Sequence, residues 1–398
     1  MIVLRVLAFA AGFATVVATL GSAVRTVILP RGVPAQIART VFIGLRWVFE
    51  LRTGRVPSYE KRDRVLAYYG PLGMLALLAT WLVLVFWGFA LMFWGLNGGS
   101  LYDAMVLSGS SLLTLGFATH DGVANIALTL TEAAIGLVLL ALLITYLPTV
   151  YAAFSRRELA VTALEVRAGS PPSGVEMIAR YWILENIARL SMVWEQWEVW
   201  FADIEETHTS FSALGFFRSP QPDHSWITAA GAVLDGAALT TSTLDLPRDV
   251  QADICIRAGY LALRRIAGFF RIPYNPNPSP EDPISVTRGE FDEAYDRLAD
   301  VGVPLRADRD QAWRDFAGWR VNYDQVLVAL ATLTDAPVAP WSSDRAFIVN
   351  YRRPRYGRRL RRAVAAAGPA TPLDGGQQGD LGDRFKYDRQ RRGKKPSS

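Results

Sequence analysis

Two long apolar segments in the first half of the chain constrain its fold more than any other feature. No charged side chain occurs from Ala67 through Tyr102, and Glu132 is the only one from Asn125 through Phe154. About 20 apolar residues suffice to cross the hydrocarbon core of a bilayer, so each segment is long enough to span it. The sequence therefore predicts a membrane protein.

A third apolar segment, Val6 to Val24, has an arginine at each end. Its small residues 21–23 have the look of a signal-peptide cleavage site. The loop that follows, residues 31–64, is rich in arginine, and basic loops face the cytoplasm. Cleavage would place that loop outside and invert the later spans. We therefore predict that residues 1–30 form an uncleaved transmembrane anchor with an external N-terminus, with a cleaved signal as the alternative.

The link between the two long segments, residues 100–119, has the sequence SLYDAMVLSGSSLLTLGFAT. Its first part has the pattern of a short half-buried helix, and the segment from Thr114 to Ala118 follows that helix. Non-helical backbone at membrane depth is tolerated only where protein buries it or where it lines a water-filled pathway. A span, a short helix, a re-entrant segment and a second span together indicate a pore.

This arrangement resembles the two-helix pore module of potassium channels over residues 66–158. In that family a T-V-G-Y/F-G-D strand points backbone carbonyls at a dehydrated cation. The family's strand is matched here by four consecutive residues, Thr114, Leu115, Gly116 and Phe117. Ser111 stands where the family often has threonine, Ala118 replaces the second filter glycine, and Thr119 replaces the aspartate. Because alanine resists positive φ by roughly 1 kcal/mol, Ala118 is expected to alter the outermost ion site.

The resemblance implies one filter strand per chain, so that four copies surround the axis of a homotetramer. It also implies that potassium or another monovalent cation permeates, and no cofactor is expected. Ser108, Ser111 and Glu132 are predicted to support the filter. Glu132 lies near the outer end of its span, and we expect it to hydrogen-bond one of the serines at 108, 110 and 111; direct participation in permeation is the alternative.

Two residues of the second span are able to localise a bend, Gly136 by its backbone freedom and Pro148 by removing a hydrogen bond. Gly136 lies high in the span and is expected to allow close packing on the pore helix. Pro148 lies one to two turns before Arg156, where converging inner helices would meet the cytoplasm. We therefore predict that Pro148 sets the inner mouth of the pore.

Net charge separates the remaining parts of the chain: residues 1–65 carry +7, residues 151–350 carry −9 and residues 351–398 carry +10. In the basic loop of residues 31–65, the stretch from Ile37 to Leu51 predicts either an interfacial helix or a helix packed on the soluble domain. Residues 351–398 predict a disordered basic tail. This tail either binds anionic lipid or only adds solubility, and it could also bind nucleic acid without specificity.

Beyond the pore module, residues 159–174 are predicted to form a linker that ends in the sequence GSPPSG. Residues 175–350 predict a helical domain, because apolar residues recur at helical spacing and no stretch alternates with period two. The predicted helices are 175–206, 226–240, 248–271, 288–300 and 308–333. The predicted fold is an all-α membrane protein: one extra span, a potassium-channel-like pore module, and an all-α cytoplasmic domain.

The sequence of the helical domain contains no recognisable catalytic constellation. Glu205 and His208 have the E-x-x-H spacing of di-iron bundles, but the sequence offers no second pair, so we expect a helix-end histidine beside a carboxylate. Cys255 is expected to be a buried small side chain. Three tryptophans at helical spacing predict core or subunit contacts: Trp194, Trp197 and Trp200.

We therefore predict a cation channel of the cell membrane that catalyses no reaction. We expect the helical domain to gate it in response to a ligand or protein partner that the sequence does not identify. A second hypothesis is a non-conducting receptor or scaffold whose degenerate pore module serves as anchor and tetrameriser. A membrane-tethered enzyme is the third, and no residue pattern supports it.

Overall fold

The computed structural model describes residues 2–27, 36–53 and 59–345. The described residues are helical and contain no strand, which confirms the predicted all-α class for this part of the chain. The predicted basic tail, residues 351–398, lies outside the described residues, as do 28–35 and 54–58 of the first loop. The helices are α1 (Ile2–Val27), α2 (Gln36–Thr53), α3 (Tyr59–Leu66), α4 (Tyr69–Asn97), α5 (Leu101–Leu112), α6 (Val123–Ala168), α7 (Gly174–Ile183), α8 (Leu190–Ser210), α9 (Trp226–Thr243), α10 (Val250–Phe269), α11 (Arg288–Asp300), α12 (Arg309–Arg320) and α13 (Asp324–Thr334).

Among the described residues, three helical stretches are long and apolar enough to cross a membrane: Ile2–Val27, Tyr59–Asn97 and Val123–Ala168. They correspond to the three apolar segments of the sequence, and the chain therefore has the helices of a membrane protein. The short helix α5 packs between α4 and α6.

Helices α1 and α4 pack antiparallel with their backbones in close contact. A Cβ added at Gly12 would lie 2.3 Å from the carbonyl oxygen of Gly88, and one at Gly95 would lie 2.7 Å from that of Arg5. Small residues allow this close approach, which is how helices associate in a bilayer. The Arg5 side chain donates to the Gly95 carbonyl (3.1 Å) and the Leu96 carbonyl (2.6 Å), so it caps the end of α4.

Helix α2, where the sequence predicts an interfacial or domain-packed helix, packs against the first turns of α4. A Cβ at Gly73 would lie 2.4 Å from the ring of Phe42, and the Tyr69 hydroxyl donates to the Phe42 carbonyl (2.9 Å). Tyr69 also stacks edge-on against Phe216 of the helical domain, with ring centroids 5.5 Å apart. The α2 helix thus lies at the end of α4 that adjoins the helical domain.

Helix α6 continues without a break from the apolar span into the helical domain. Val161, Leu164 and Ala168, spaced three and four residues apart, are buried in the core of that domain. Most of the predicted linker 159–174 is therefore helical, and only residues 169–173 join α6 to α7. The linker prediction was too long because Pro and Gly stand only at its end, whereas residues 159–168 are good helix formers.

The helical domain has one core around α9, whose side chains are buried on nearly all sides. The three tryptophans of α8 and Cys255 lie in this core, as expected. Two predicted helices are interrupted. The first breaks after Ile183, where Glu185 has a positive φ of 54°. The second breaks after Arg320, where the Asn322 side chain donates to the Gly318 and Trp319 carbonyls (3.0 and 3.2 Å) and so competes with helix continuation.

Candidate functional site

Helix α5 begins at a well-formed cap and ends inside the bundle. The Ser100 hydroxyl accepts from the Asp103 N–H at 3.1 Å, and Asp103 lies in the first turn, where a negative charge is favourable. With 12 residues the helix is about 18 Å long, too short to cross the hydrocarbon core. It packs between α4 and α6 and ends there.

The backbone of residues 114–118 is oriented by the last turn of α5. The N–H groups of Leu115 and Gly116 both donate to the Ser110 carbonyl (2.8 and 3.3 Å), and the Ala118 N–H donates to the Ser110 hydroxyl (3.1 Å). Thr114 and Gly116 have φ of 55° and 71°, in the left-handed region. Among the described residues, no donor reaches any carbonyl oxygen of this segment. Three N–H groups of the segment are thus bonded to Ser110, and its carbonyl oxygens have no donor among the described residues.

Ala118 does not carry the strain that the sequence predicts for a filter glycine. Its φ lies outside the positive range, and its N–H is held by Ser110. The alanine is therefore compatible with the backbone at this position. The sequence analysis predicts Ser110 only as a possible partner of Glu132 and misses its bonds to the N–H groups of residues 115, 116 and 118. The position of Ser110 four residues before Thr114, at the end of a short helix, is the signal that could have identified it.

One contact joins α4, α5 and α6. The Ser108 hydroxyl lies 2.5 Å from Glu132 Oε1 and 2.9 Å from the Phe86 carbonyl, and Glu132 is completely buried. The predicted hydrogen bond between Glu132 and a pore-helix serine is thus confirmed. Ser111, predicted to support the filter, instead donates to the Leu107 carbonyl of its own helix (2.8 Å).

Gly136 lies directly against the end of α5. A Cβ at this position would be 2.4 Å from the Leu112 carbonyl oxygen, so the expected close packing on the pore helix is confirmed. The amides of Asn97 and Asn125 exchange two hydrogen bonds of 2.9 Å and join the end of α4 to the beginning of α6. The sequence analysis did not single out this amide pair. Helix α6 is therefore fixed to the end of α5 by Gly136 and to the end of α4 by the amide pair.

The exposed surface of α6 divides into two stripes of different character. The first, called here the small stripe, recurs at intervals of three and four residues and has no side chain larger than valine: Ala134, Val138, Ala141, Thr145, Pro148, Ala152 and Ser155. Beside it runs a bulky stripe of Leu137, Leu140, Ile144, Leu147 and Tyr151. Pro148, the predicted hinge, thus lies on the small stripe, and α6 is helical on both sides of it.

Residues 211–218 of the helical domain form a junction segment that contacts both α4 and the middle of α6. Phe211 stacks on Tyr146 of α6 (5.5 Å between centroids), and Phe217 stacks on Phe154 (5.6 Å). A Cβ at Gly70 of α4 would lie 2.5 Å from the Phe217 ring. The junction segment therefore bridges the two spans through aromatic packing.

A buried arginine of α6, Arg157, lies at the centre of this junction. It is fully buried and forms an ion pair with Glu158 (2.7 Å). Its guanidinium donates to the carbonyls of Leu214 (2.9 Å) and Phe217 (2.7 Å). Every one of these partners lies in α6 or in the junction segment, so Arg157 locks the two together.

His208 faces the same guanidinium. Its Nδ1 lies 2.9 Å from the Ile204 carbonyl and carries the proton of that bond, so Nε2 accepts from Arg157 at 3.3 Å. Burial, together with the Arg157 charge, holds the pKa of His208 well below its usual range. The predicted pairing of this histidine with a carboxylate was therefore wrong. Glu205 points elsewhere, to Arg265 at 2.5 Å.

A second arginine, Arg218, links the junction segment to α3 and α13. It pairs with Asp63, donates to the Tyr59 hydroxyl (2.7 Å), and donates to the carbonyls of Thr334 and Asp335 (2.8 Å each). We call the contacts of Arg218 with Tyr59, Asp63, Thr334 and Asp335 the latch. Because α3 leads directly into α4, the latch connects the helical domain to the beginning of α4, and Arg157 connects the junction segment to α6.

Comparison with protein-family models, with curated protein sequences and with solved structures finds no match for this chain. Within the part of the chain that the structure describes, no three side chains of His, Cys, Asp or Glu are grouped as metal ligands.

Proposed function

We propose that this chain is the subunit of a homotetrameric cation channel in the cell membrane, with potassium as the expected permeant ion. In this proposal Thr114 to Ala118 form the filter and the helical domain lies in the cytoplasm and gates the pore. One observation carries the proposal: the last turn of α5 holds the N–H groups of the segment, while its carbonyls have no donor among the described residues. Such carbonyls replace the hydration shell of a cation.

The two stripes of α6 support the same proposal. Small and hydroxyl-bearing side chains suit a water-filled cavity, and leucine and isoleucine suit lipid or a neighbouring subunit. With the small stripe turned toward a fourfold axis, α6 lines the cavity below the filter. Pro148 and Ser155 then lie at the inner mouth, next to the junction segment.

The proposal is tested by ion flux with the purified full chain in liposomes, with potassium, sodium and chloride gradients compared. We expect potassium flux, a smaller or equal sodium flux and no chloride flux. A stable tetramer that passes none of the three ions would overturn the proposal in favour of the receptor or scaffold hypothesis, in which the helical domain only binds a partner.

A further inference from the structure

A pocket in the helical domain lies between residues 215–219, the beginning of α9 and the end of α13. It contains about 290 Å³ of empty space, part of which is open to solvent. Its described lining includes one cationic side chain, Arg218, and no acidic one. Arg218 is already paired with Asp63, so its charge is compensated, and no acidic side chain of the described lining would repel an anion.

Three polar groups of this lining have no hydrogen-bond partner among the described residues: Ser219 Oγ, His224 Nδ1 and Trp226 Nε1. Their residues are 7%, 8% and 2% exposed. Buried polar groups are almost always partnered, and each exception requires an explanation. Three of them around a single pocket are explained together if a ligand in the pocket supplies the missing partner.

The chemistry of two of the three groups indicates a ligand that accepts hydrogen bonds. The indole N–H of Trp226 can only donate, and the Ser219 hydroxyl can donate as well. His224 Nε2 lies 3.3 Å from Glu165 Oε2 of α6, and its Nδ1 has no partner among the described residues. Helix α9 begins at Trp226, behind a Ser225 cap, and its 18 residues direct the positive end of the helix dipole to the same place.

We propose that this pocket binds a small oxyanion, that is, a carboxylate or phosphate group. Trp226 and Ser219 donate to its oxygens, and His224 and the beginning of α9 complete the site. Two of the surrounding residues reach the elements that adjoin the spans, His224 through Glu165 of α6 and Arg218 through Asp63 of α3. Resting on the channel function proposed above, occupancy of the pocket regulates opening of the pore.

Binding is tested on the purified full chain in detergent by thermal unfolding, in titrations of inorganic phosphate, acetate and chloride at constant ionic strength. A ligand that binds only the folded state raises the melting temperature in a saturable way. We expect this for phosphate or acetate and not for chloride. If no oxyanion produces a saturable shift, the groups are satisfied by water alone and the proposal is wrong.

Two variants and a matched control assign the effect to the pocket. Trp226→Phe removes the indole N–H and keeps an aromatic ring, and Ser219→Ala removes the hydroxyl; each should weaken oxyanion binding about tenfold, the loss of one hydrogen bond to a charged group. Trp194→Phe is the control, because its indole N–H is also buried without a partner but lies outside the pocket. Equal weakening in all three variants would overturn the assignment.

Nanodiscs of neutral and of anionic phospholipid distinguish the two sources of the oxyanion. With a soluble anion, added phosphate shifts the melting temperature equally in both; with a lipid headgroup, the anionic nanodisc alone produces the shift, and Trp226→Phe abolishes it. The melting assay is independent of conduction. Saturable binding without any ion flux would support the oxyanion site and contradict the channel function. Ion flux without saturable binding would support the channel function and contradict the oxyanion site.

Discussion

At the scale of single residues, the filter segment shows how a few backbone contacts decide what a short loop presents. Ser110 uses its carbonyl and its hydroxyl to hold three N–H groups of the segment. Gly116 provides the positive φ that this arrangement needs, at no steric cost. Thr114 reaches a similar φ with a side chain, which indicates local strain of the kind found at functional sites.

Gly116→Ala should abolish potassium flux and leave the tetramer intact, because alanine at φ of 71° displaces the carbonyls that coordinate the ion. Gly99→Ala is the matched control: Gly99 has nearly the same φ, 73°, and a Cβ there also meets open space, but it precedes α5. Flux is measured in liposomes, and assembly by light scattering. Equal loss of flux in both variants would contradict the filter assignment.

The buried His208 makes the stability of the junction depend on pH. Its pKa is lowered by burial and by Arg157, whereas the unfolded chain binds a proton below a pKa of about 6.5. The unfolded state therefore binds more protons as the pH falls below that value. The contribution of His208 to the free energy of unfolding is therefore fully present above about pH 6.5 and decreases below it, by up to about 1.4 kcal/mol per pH unit. Glu158 and Arg157 are the charged groups at the site.

His208→Gln should flatten the decrease of unfolding free energy between about pH 6.5 and pH 5, because glutamine does not titrate. Thermal unfolding at a series of pH values measures the slope. His120→Gln is the control, since that histidine is exposed. A slope in His208→Gln as steep as in the parent chain would show that another group causes the pH dependence.

At the scale of elements, α6 combines three surfaces on one helix. Its buried side contacts α4, α5 and the junction segment, its small stripe faces outward, and its bulky stripe faces outward beside it. Within the chain only a small part of the span is covered, whereas α4 is covered over much more of its surface. A helix with so much apolar surface exposed needs lipid or another protein surface around it.

The orientation of α6 is tested with single cysteines. Because the only native cysteine, Cys255, is completely buried, it is not expected to interfere. Cysteine at Ala141 or Thr145 of the small stripe should react with a membrane-impermeant thiol reagent from the water-filled cavity, and the modification should reduce flux. Cysteine at Leu140 or Ile144 of the bulky stripe should react slowly and leave flux unchanged. The reverse pattern would show that the small stripe is a packing surface between helices.

At the scale of the whole molecule, two arginines connect the helical domain to the two long helices α4 and α6. The fully buried Arg157 binds the junction segment to α6, and the partly buried Arg218 binds it to α3, which precedes α4. A rotation of the helical domain therefore moves the inner ends of both spans together. This geometry gives the domain a mechanical connection to the predicted gate around Pro148.

Arg218→Gln should lower the free energy of unfolding by about 3–5 kcal/mol, because it leaves the carboxylate of Asp63 buried without its partner. It should also change the open probability of the channel and leave the conductance of the open pore unchanged. Arg265→Gln is the control, since its ion pair with Glu205 lies at the surface and is worth at most about 1 kcal/mol. Thermal unfolding and single-channel recording measure the two effects. An unchanged open probability would show that the contacts of Arg218 do not take part in gating.

How far the sequence predicts this molecule depends on whether the cause of each feature is local. The three spans follow from hydropathy, which is a sum over neighbouring residues. Helix α11 begins where predicted, because Thr287 and Glu290 form a capping box within four residues. The breaks after Ile183 and Arg320 were missed, because no glycine or proline marks them and the apolar spacing continues across each break.

By itself, the sequence determined the helical class, the place of the described helices that are long and apolar enough to span a membrane, and the short helix between two of them, since each depends on composition and spacing within about 20 residues. Only the tertiary structure decided that Ser110 holds three N–H groups of residues 114–118, that Arg157 and Arg218 hold the junction segment, and that α6 extends into the helical domain. The partners of Arg218 come from residues 59–63 and 334–335, far apart in sequence. Contacts of this kind exist only once packing has brought distant segments together, and no local pattern specifies which arginine will find which carboxylate.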